Sequence, residues 1–388
     1  MLINEITLSN FLSYGNHSDA VSLGPLNVII GPNGSGKSNL LEAIELLRGA
    51  PEQLLTTIRD GGGVRDWLWK GAKSTPVASL DVVVEHPMAP QNLRYVLAFT
   101  AVNQRFQIVD EKIEFEKPAN DLHPEPYFYY RFNKGRPTLN VKGDRRVLRQ
   151  EDIDLEKSIL SQRRDPDQYP EITWLARTFS RIALYREWSF GRYTVPRLPQ
   201  KADSLNTVLE PDASNLAMVL HRLHNEPVVK DRLLTALKVL YDGIDDYGVD
   251  IEGGTVQVFF REGRYKVPAT RLSDGTLRYL CLLAILCHPS PPPLVCIEEP
   301  ELGLHPDVLP AVAELMKEAS ERCQLIVTTH SDVLVDAMTD QPESVLVAEK
   351  SDEGTTLTRL NAEQLKPWLE QYRLGELWNR GDIGGTRW

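Results

Sequence analysis

The chain has 388 residues, 42% of them hydrophobic and 25% charged, with a net charge of −11. That length buries a large core and fits two domains or one domain carrying an insertion, while the acidic balance argues against a generally basic nucleic-acid surface unless charge is segregated on one face. No apolar run approaches the roughly 18 residues of a membrane span, and Met1-Leu2-Ile3-Asn4-Glu5 lacks the basic start of a signal peptide, so the expectation is a cytoplasmic protein with no membrane contact.

The run Leu26-Asn27-Val28-Ile29-Ile30 reads as a buried strand and Asn39 to Leu47 as a helix. Between them Gly31-Pro32-Asn33-Gly34-Ser35-Gly36-Lys37-Ser38 fits the phosphate-loop pattern G-x-x-x-x-G-K-[ST] in the strand, loop, helix context that the pattern needs. Glycines there let successive N–H groups turn toward an anion, the helix start adds its positive end, Lys37 reaches the outer phosphates, and the Ser38 hydroxyl suits Mg²⁺. Strand-like alternation follows at 78–85, 93–101 and 112–115, and prolines at 118, 124 and 126 mark a boundary. The pattern then turns helical, near 151–163, 171–184, 213–224 and 228–241, before strands resume at 255–261 and 265–267.

Arg271-Leu272-Ser273-Asp274-Gly275-Thr276 leads into an apolar helix through Leu286, with Ser273 as a natural N-cap and a first turn of free N–H groups. The strand Leu294 to Ile297 ends in Glu298-Glu299-Pro300. Two acids at the carboxyl end of a strand beside a phosphate loop divide the work, Glu298 toward the metal and Glu299 toward the attacking water. Gln324 to Thr328 is a further buried strand that delivers His330-Ser331 to the same sheet edge, where a histidine can contact a γ-phosphate. Beyond it come a helix, a strand at 344–348, a last helix near 361–373, and a tail with glycines and tryptophans that either anchors a partner or folds back on its own head. Cys281, Cys287, Cys296 and Cys323 sit in apolar patterns and read as reduced core residues. Lys142, Arg145, Arg146 and Arg149, with Arg163-Arg164, are local basic clusters, read either as a DNA contact or as a solvated face balanced by Glu151, Asp152, Asp154 and Glu156.

Together these residues resemble the ABC-type ATPase heads of the SMC, RecF and OLD families, including small stand-alone ATPases of bacterial phage-defence operons. Asn10-Phe11-Leu12-Ser13 matches that group's N-terminal segment and Gly31 to Asn39 its phosphate loop. Leu272 to Thr276 matches a variant signature, Glu298-Glu299-Pro300 the acidic strand end, Leu304-His305-Pro306 the following loop and His330 the switch histidine. The resemblance implies an α/β P-loop NTPase with an ABC-type core of mixed sheet and helices. A mainly helical lid, 118–265, would be inserted between lobes 1–117 and 266–388, without a long coiled coil.

It also implies ATP and Mg²⁺ as cofactors. Asn33, Gly34, Ser35, Gly36, Lys37, Ser38 and Asn39 would bind the nucleotide, Ser38 and Glu298 the metal, and Lys37, Glu299 and His330 would be catalytic. Ser273 and Gly275 would act in trans across a head-to-tail homodimer. The dimer would hydrolyse ATP and regulate a separately encoded effector or a DNA transaction, in anti-phage defence or DNA repair. An ABC transporter subunit and a nucleotide-dependent scaffold with little turnover are the competing readings. Asp274 and Glu298 depart from transporter subunits in the direction of the RecF-like and OLD-like branch. No glutamine can be placed for the loop joining core to lid, Gln104 and Gln107 being candidates without a role.

Overall fold

The computed structural model describes residues 1–16, 19–87, 89–118, 124–133, 135–141, 144–148 and 153–385, the side chains of 144–147 excepted. In chain order, β1 (Ile3–Ser9), β2 (Val21–Ser22) and β3 (Leu26–Ile30) precede α1 (Lys37–Gly49), α2 (Leu54–Asp60) and α3 (Val64–Trp67). A meander follows of β4 (Ala78–Val84), β5 (Leu93–Val102), β6 (Arg105–Phe115), β7 (Phe128–Asn133), β8 (Arg136–Val141) and β9 (Asp144–Val147). Then come α4 (Ile159–Gln162), α5 (Pro170–Phe179), β10 (Ala183–Tyr185), β11 (Gln200–Lys201), α6 (Leu216–His224), α7 (Pro227–Leu240), β12 (Asp246–Glu252), β13 (Thr255–Glu262) and β14 (Tyr265–Pro268). The chain ends through α8 (Asp274–Leu286), β15 (Leu294–Glu298), α9 (Leu309–Ser320), β16 (Gln324–Thr328), α10 (Asp332–Asp336), β17 (Val345–Ser351), β18 (Gly354–Arg359), α11 (Ala362–Leu369) and α12 (Leu374–Arg380).

The central sheet runs β10-β15-β16-β3-β17-β18, parallel except for the antiparallel edge strand β18. All five residues of β3 and of β16 are buried, as strands covered on both faces require. Their side chains alternate between two cores. Val28, Ile30, Val295, Ile297, Leu325 and Val327 pack with the apolar residues of α8 and α9. Ile29, Cys296, Ile326 and Leu346 face the other way, onto α1 and an antiparallel sheet ordered β2-β1-β4-β5-β6-β7-β8-β9. The buried Gln324 side chain stitches the two layers together at their base. Its Oε1 accepts from Leu2 N (3.1 Å) and Ile3 N (2.8 Å), and its Nε2 donates to Ile3 O (2.7 Å) and Gly24 O (3.0 Å).

The segment expected to form a mainly helical insertion carries the four helices α4 to α7, and it also carries strands. β7 to β9 extend the antiparallel sheet from β6, and β10 belongs to the central sheet, paired with β15. A smaller sheet, β11-β13-β12 with β14 on β13, completes that region. Hydrogen bonding to β6 and β15 decides the placement, since these strands are too short or too polar to announce themselves by periodicity. The helix expected near 361–373 is α11, which has Pro367 inside it and ends at Leu369; a separate helix, α12, follows, and its N-cap Arg373 forms a capping box with Glu376.

In the antiparallel layer the buried carboxylate of Glu111 fixes the start of α4. It accepts from Tyr95 Oη (2.9 Å), from Ser158 Oγ and from Ile159 N (2.9 Å). Burial pushes this carboxyl up to about 7 despite those donors.

The longest helix among the described residues, α7, has 14 residues, so they contain no long coiled coil. None of their helices is long and apolar enough to cross a membrane. All four cysteines are free and buried, and no cluster of His, Cys, Asp and Glu with metal-site geometry occurs among the described residues.

Candidate nucleotide site

β3 ends at Ile30 and the backbone turns through Gly31, Gly34 and Gly36, with φ of 146°, 79° and 102°. Gly36 is the N-cap of α1, and a Cβ there would lie 2.6 Å from Ser13 Oγ and closer still to Thr355. That close approach is built: Asn39 Nδ2 donates to Ser13 Oγ (2.6 Å), and Thr355 Oγ1 bonds to Ser13 Oγ (2.7 Å) and to Ser35 O (2.9 Å). The N-terminal segment and the β17–β18 hairpin thus brace the loop from outside. Gly34 is open, with nothing within 4 Å of where its Cβ would be. Lys37 Nζ donates to Gly31 O (2.8 Å) and Pro32 O (3.1 Å), spanning the mouth of the loop. Burial lowers its pKa, opposed by Glu299, Glu298 and Glu301.

β15 and β16 run parallel to β3 and end beside it. Ser38 Oγ donates to Glu298 Oε1. The other oxygen, Oε2, accepts from Arg186 Nε (2.9 Å), and the same guanidinium reaches Glu42 (2.7 Å) and Glu45 (3.2 Å) on α1. Glu299 has a φ of 46°, a left-handed conformation that costs a non-glycine residue of order 1 kcal/mol and is held by its surroundings. Its N–H donates to Thr328 O (3.0 Å), and its carbonyl accepts from Arg278 Nη2 (2.8 Å). Its Oε1 lies 3.4 Å from His330 Nε2. Burial, then Lys37, depress the imidazole pKa, with Glu299 opposing, so His330 is neutral near pH 7. Glu301 supports this corner from beneath, accepting from Thr329 Oγ1 (2.8 Å) and His330 N (2.6 Å), and burial raises its pKa.

Lys37, Ser38, Glu298, Glu299 and His330 therefore share one corner of the sheet. The signature residues do not join it through any hydrogen bond among the described residues. Ser273 caps α8 by accepting from Thr276 N (3.0 Å), and Gly275 is a glycine because a Cβ would meet Gly303 O at 2.5 Å. Asp274 pairs with the buried Arg197, which also holds the Leu272 carbonyl. Gln104 sits at the β5–β6 turn with φ of 66° and Gln107 on β6, lining clefts with Glu156 rather than this corner. The place beside Glu298, just past the carboxyl end of β10, belongs to Arg186. Arg186, Arg278, Glu301 and Thr355 carry no sequence pattern that singles them out. A cleft of about 980 Å³ opens at the opposite ends of the strands, around Pro25, Trp174 and Gln324.

Of the basic clusters, Lys142 and Arg149 lie outside the described residues, as do the side chains of Arg145 and Arg146. Arg164 is engaged internally, with Glu52 (3.2 Å), Leu160 O (3.1 Å) and Pro51 O. The described part of the tail, through Gly385, packs on its own head: Gly385 N donates to Glu349 Oε1 (3.3 Å), and a Cβ on Gly385 would lie 3.4 Å from Gly31 Cα, whereas Trp388 lies outside the described residues.

Residues 26–336, well over half of the chain, match the family described as "AAA domain, putative AbiEii toxin, Type IV TA system". The chain belongs to this family. Parts of this AAA-domain protein are also similar to two curated relatives. A stretch of 73 residues, 19% of this chain and 6% of the relative, is 34% identical to the chromosome partition protein Smc of Clostridium kluyveri. Another of 44 residues, 11% of this chain and 5% of the relative, is 50% identical to the DNA double-strand break repair Rad50 ATPase of Saccharolobus solfataricus.

Among solved structures, an Smc head bound to the C-winged helix domain of ScpA is similar with a TM-score of 0.59 and 15% identity, over 94% of this chain and 99% of that one. An Smc head with an extended coiled coil bound to the C-terminal domain of ScpA, from Pyrococcus furiosus, gives the same TM-score and identity over 96% and 99%. The AAA-domain protein has the fold of an SMC-like, ABC-type ATPase head.

Proposed function

We propose that this AAA-domain protein binds ATP with Mg²⁺, hydrolyses it, and uses the cycle to close and open a head-to-tail homodimer that controls a separately encoded effector or a DNA transaction. The observation that carries the reading is the convergence of Lys37, the Ser38–Glu298 pair and the Glu299–His330 pair at one sheet corner.

The residues fit the cofactor. Ser38 and Glu298 offer hard oxygen donors of the kind Mg²⁺ takes, and Ser35 Oγ is buried in the loop without a protein partner. Ser38 and Glu298 would hold the ion, which neutralises charge on the phosphates. Lys37 leaves its two backbone carbonyls to pair with the outer phosphates. Glu299 accepts the proton of the attacking water, and neutral His330, beside it, donates toward the transferred phosphoryl group. Ser273 and the N-terminal turn of α8 are free of this corner in their own chain, which suits them to a nucleotide held by the partner copy. Loss of the bridging phosphate on hydrolysis then opens the dimer. The solved Smc heads each carry a protein partner, ScpA, and a bound effector for this chain is the corresponding expectation. A role in anti-phage defence or DNA repair follows as the setting for such a device.

The test is Glu299→Gln. ATP binding should persist, turnover should fall by about a hundredfold or more, and the variant should elute as a dimer in ATP. Turnover equal to that of the wild type would remove Glu299 from the role of base.

A further inference from the structure

The guanidinium of Arg186 sits among three carboxylates, Glu298, Glu42 and Glu45, that come from two separate elements. Its position follows from the sheet. Tyr185, the last residue of β10, is in register with Ile297, so the residue that follows the strand stands beside Glu298. Arg186 is also the point at which the chain leaves the central sheet. Two residues later Trp188 packs on Tyr185 and Phe190 and donates through Nε1 to Pro211 O (2.9 Å), so the arm is anchored on both sides.

We propose that Arg186 is a positioning residue for the metal-side acid, holding Glu298 Oε2 so that Oε1 is presented to Ser38, and offsetting the negative charge that Glu42 and Glu45 add to the site. The assignment rests on the reading of Ser38 and Glu298 as the Mg²⁺ site. A carboxylate free to rotate, with two more acids close by, would take a divalent cation more tightly and in more than one arrangement. With its second oxygen held, Glu298 has a single free oxygen, and a fixed positive charge stands one side chain away. Affinity for the ion is lowered and its placement is made unique. A clamp that served only to fasten β10 to α1 would have no such effect on metal affinity, or would lower affinity when lost.

The experiment measures Mn²⁺ affinity by electron paramagnetic resonance in the presence of a non-hydrolysable ATP analogue, together with ATPase turnover and thermal melting, on the full chain. Arg186→Gln should bind Mn²⁺ about three- to tenfold more tightly while turnover falls. Arg186→Lys, which restores the charge but cannot span Glu298 and Glu42, should return Mn²⁺ affinity to within about twofold of wild type while turnover stays low. Should Arg186→Gln fail to fold, Glu42→Gln gives the opposite sign, about two- to threefold weaker Mn²⁺ binding, because one acid has gone and the guanidinium is shared by fewer partners. Unchanged or weaker Mn²⁺ binding in folded Arg186→Gln, or tighter or unchanged binding in Glu42→Gln, overturns the assignment. If the affinities follow this order but the wild type shows no turnover, the ATPase reading falls and the role of Arg186 stands.

Discussion

Glu111 offers a test of the packing in which two opposing effects have comparable size. Its carboxylate accepts hydrogen bonds from Tyr95, Ser158 and Ile159, which favour the ionised form, yet it is buried, which disfavours it. Burial wins, and the group titrates at about 7 in place of the ordinary 4.5. Between those two pH values the folded protein binds a proton that the unfolded chain has released. Stability therefore falls as pH rises through that window, the reverse of a salt-bridged carboxylate. At about 1.4 kcal/mol per pH unit the full excursion is about 3 kcal/mol.

Glu111→Gln removes the titration and keeps the shape. The measurement is urea unfolding of both proteins at intervals from pH 4.5 to 8, taking the difference between them so that every other titrating group cancels. The wild type should lose about 3 kcal/mol relative to the variant across the range, most of it by pH 7. A difference that stays flat, or one in which the wild type gains on the variant with rising pH, would show that the three donors outweigh burial and would refute the reasoning.

Gly36→Ala combines a φ of 102° with a Cβ placed against Ser13 and Thr355; we expect a loss of about 2–4 kcal/mol in denaturant unfolding, together with nucleotide binding too weak to detect by calorimetry. Thr355→Ala in the same chain should recover part of the stability, since it relieves the contact but not the backbone. Lys37→Ala should abolish ATP binding, and Ser273→Arg should block dimer closure while the chain stays folded, the loss of the α8 N-cap costing about 1 kcal/mol. Mixed in equal amounts, these two variants should recover at most one working site per dimer, and full inactivity of the mixture would argue against composite sites.

The residues that proved legible in the sequence are those whose chemistry is carried by neighbours in the chain. Gly31 to Ser38 lies between a mostly apolar strand and a helix, and Glu298-Glu299 and His330 each follow a mainly apolar run, so the local pattern points to strand ends at one edge of a parallel sheet. Arg186 could not be read in this way. The strand that presents it, β10, has three residues, too few for any periodicity, and it follows α5 so closely that 171–184 reads as one helix. Arg278 looks like an ordinary polar residue in an apolar helix until Glu299 O is found opposite it. Gln104 and Gln107 drew attention only as glutamines of the right type, and the register of β5 and β6 puts them elsewhere. Strands β7 to β9 were hidden because β7 joins β6 across a polar stretch that reads as a boundary, and β8 and β9 then pair in turn on β7 and β8. What escaped the sequence is in each case a contact between elements rather than a property of one element alone.

The place of β3 in the central sheet has a consequence for how the protein is made. Its neighbours are β16 and β17, both near the far end of the chain. During synthesis the phosphate-loop strand therefore emerges about 300 residues before either partner, and its five buried positions have nothing to pair with until β16 has left the ribosome. Contacts of such sequence separation fold slowly and leave apolar surface exposed meanwhile. Fragments ending before Thr328 should accordingly aggregate or recruit chaperones rather than bind nucleotide, so the proposed nucleotide site comes into being only when nearly all of the chain has been translated.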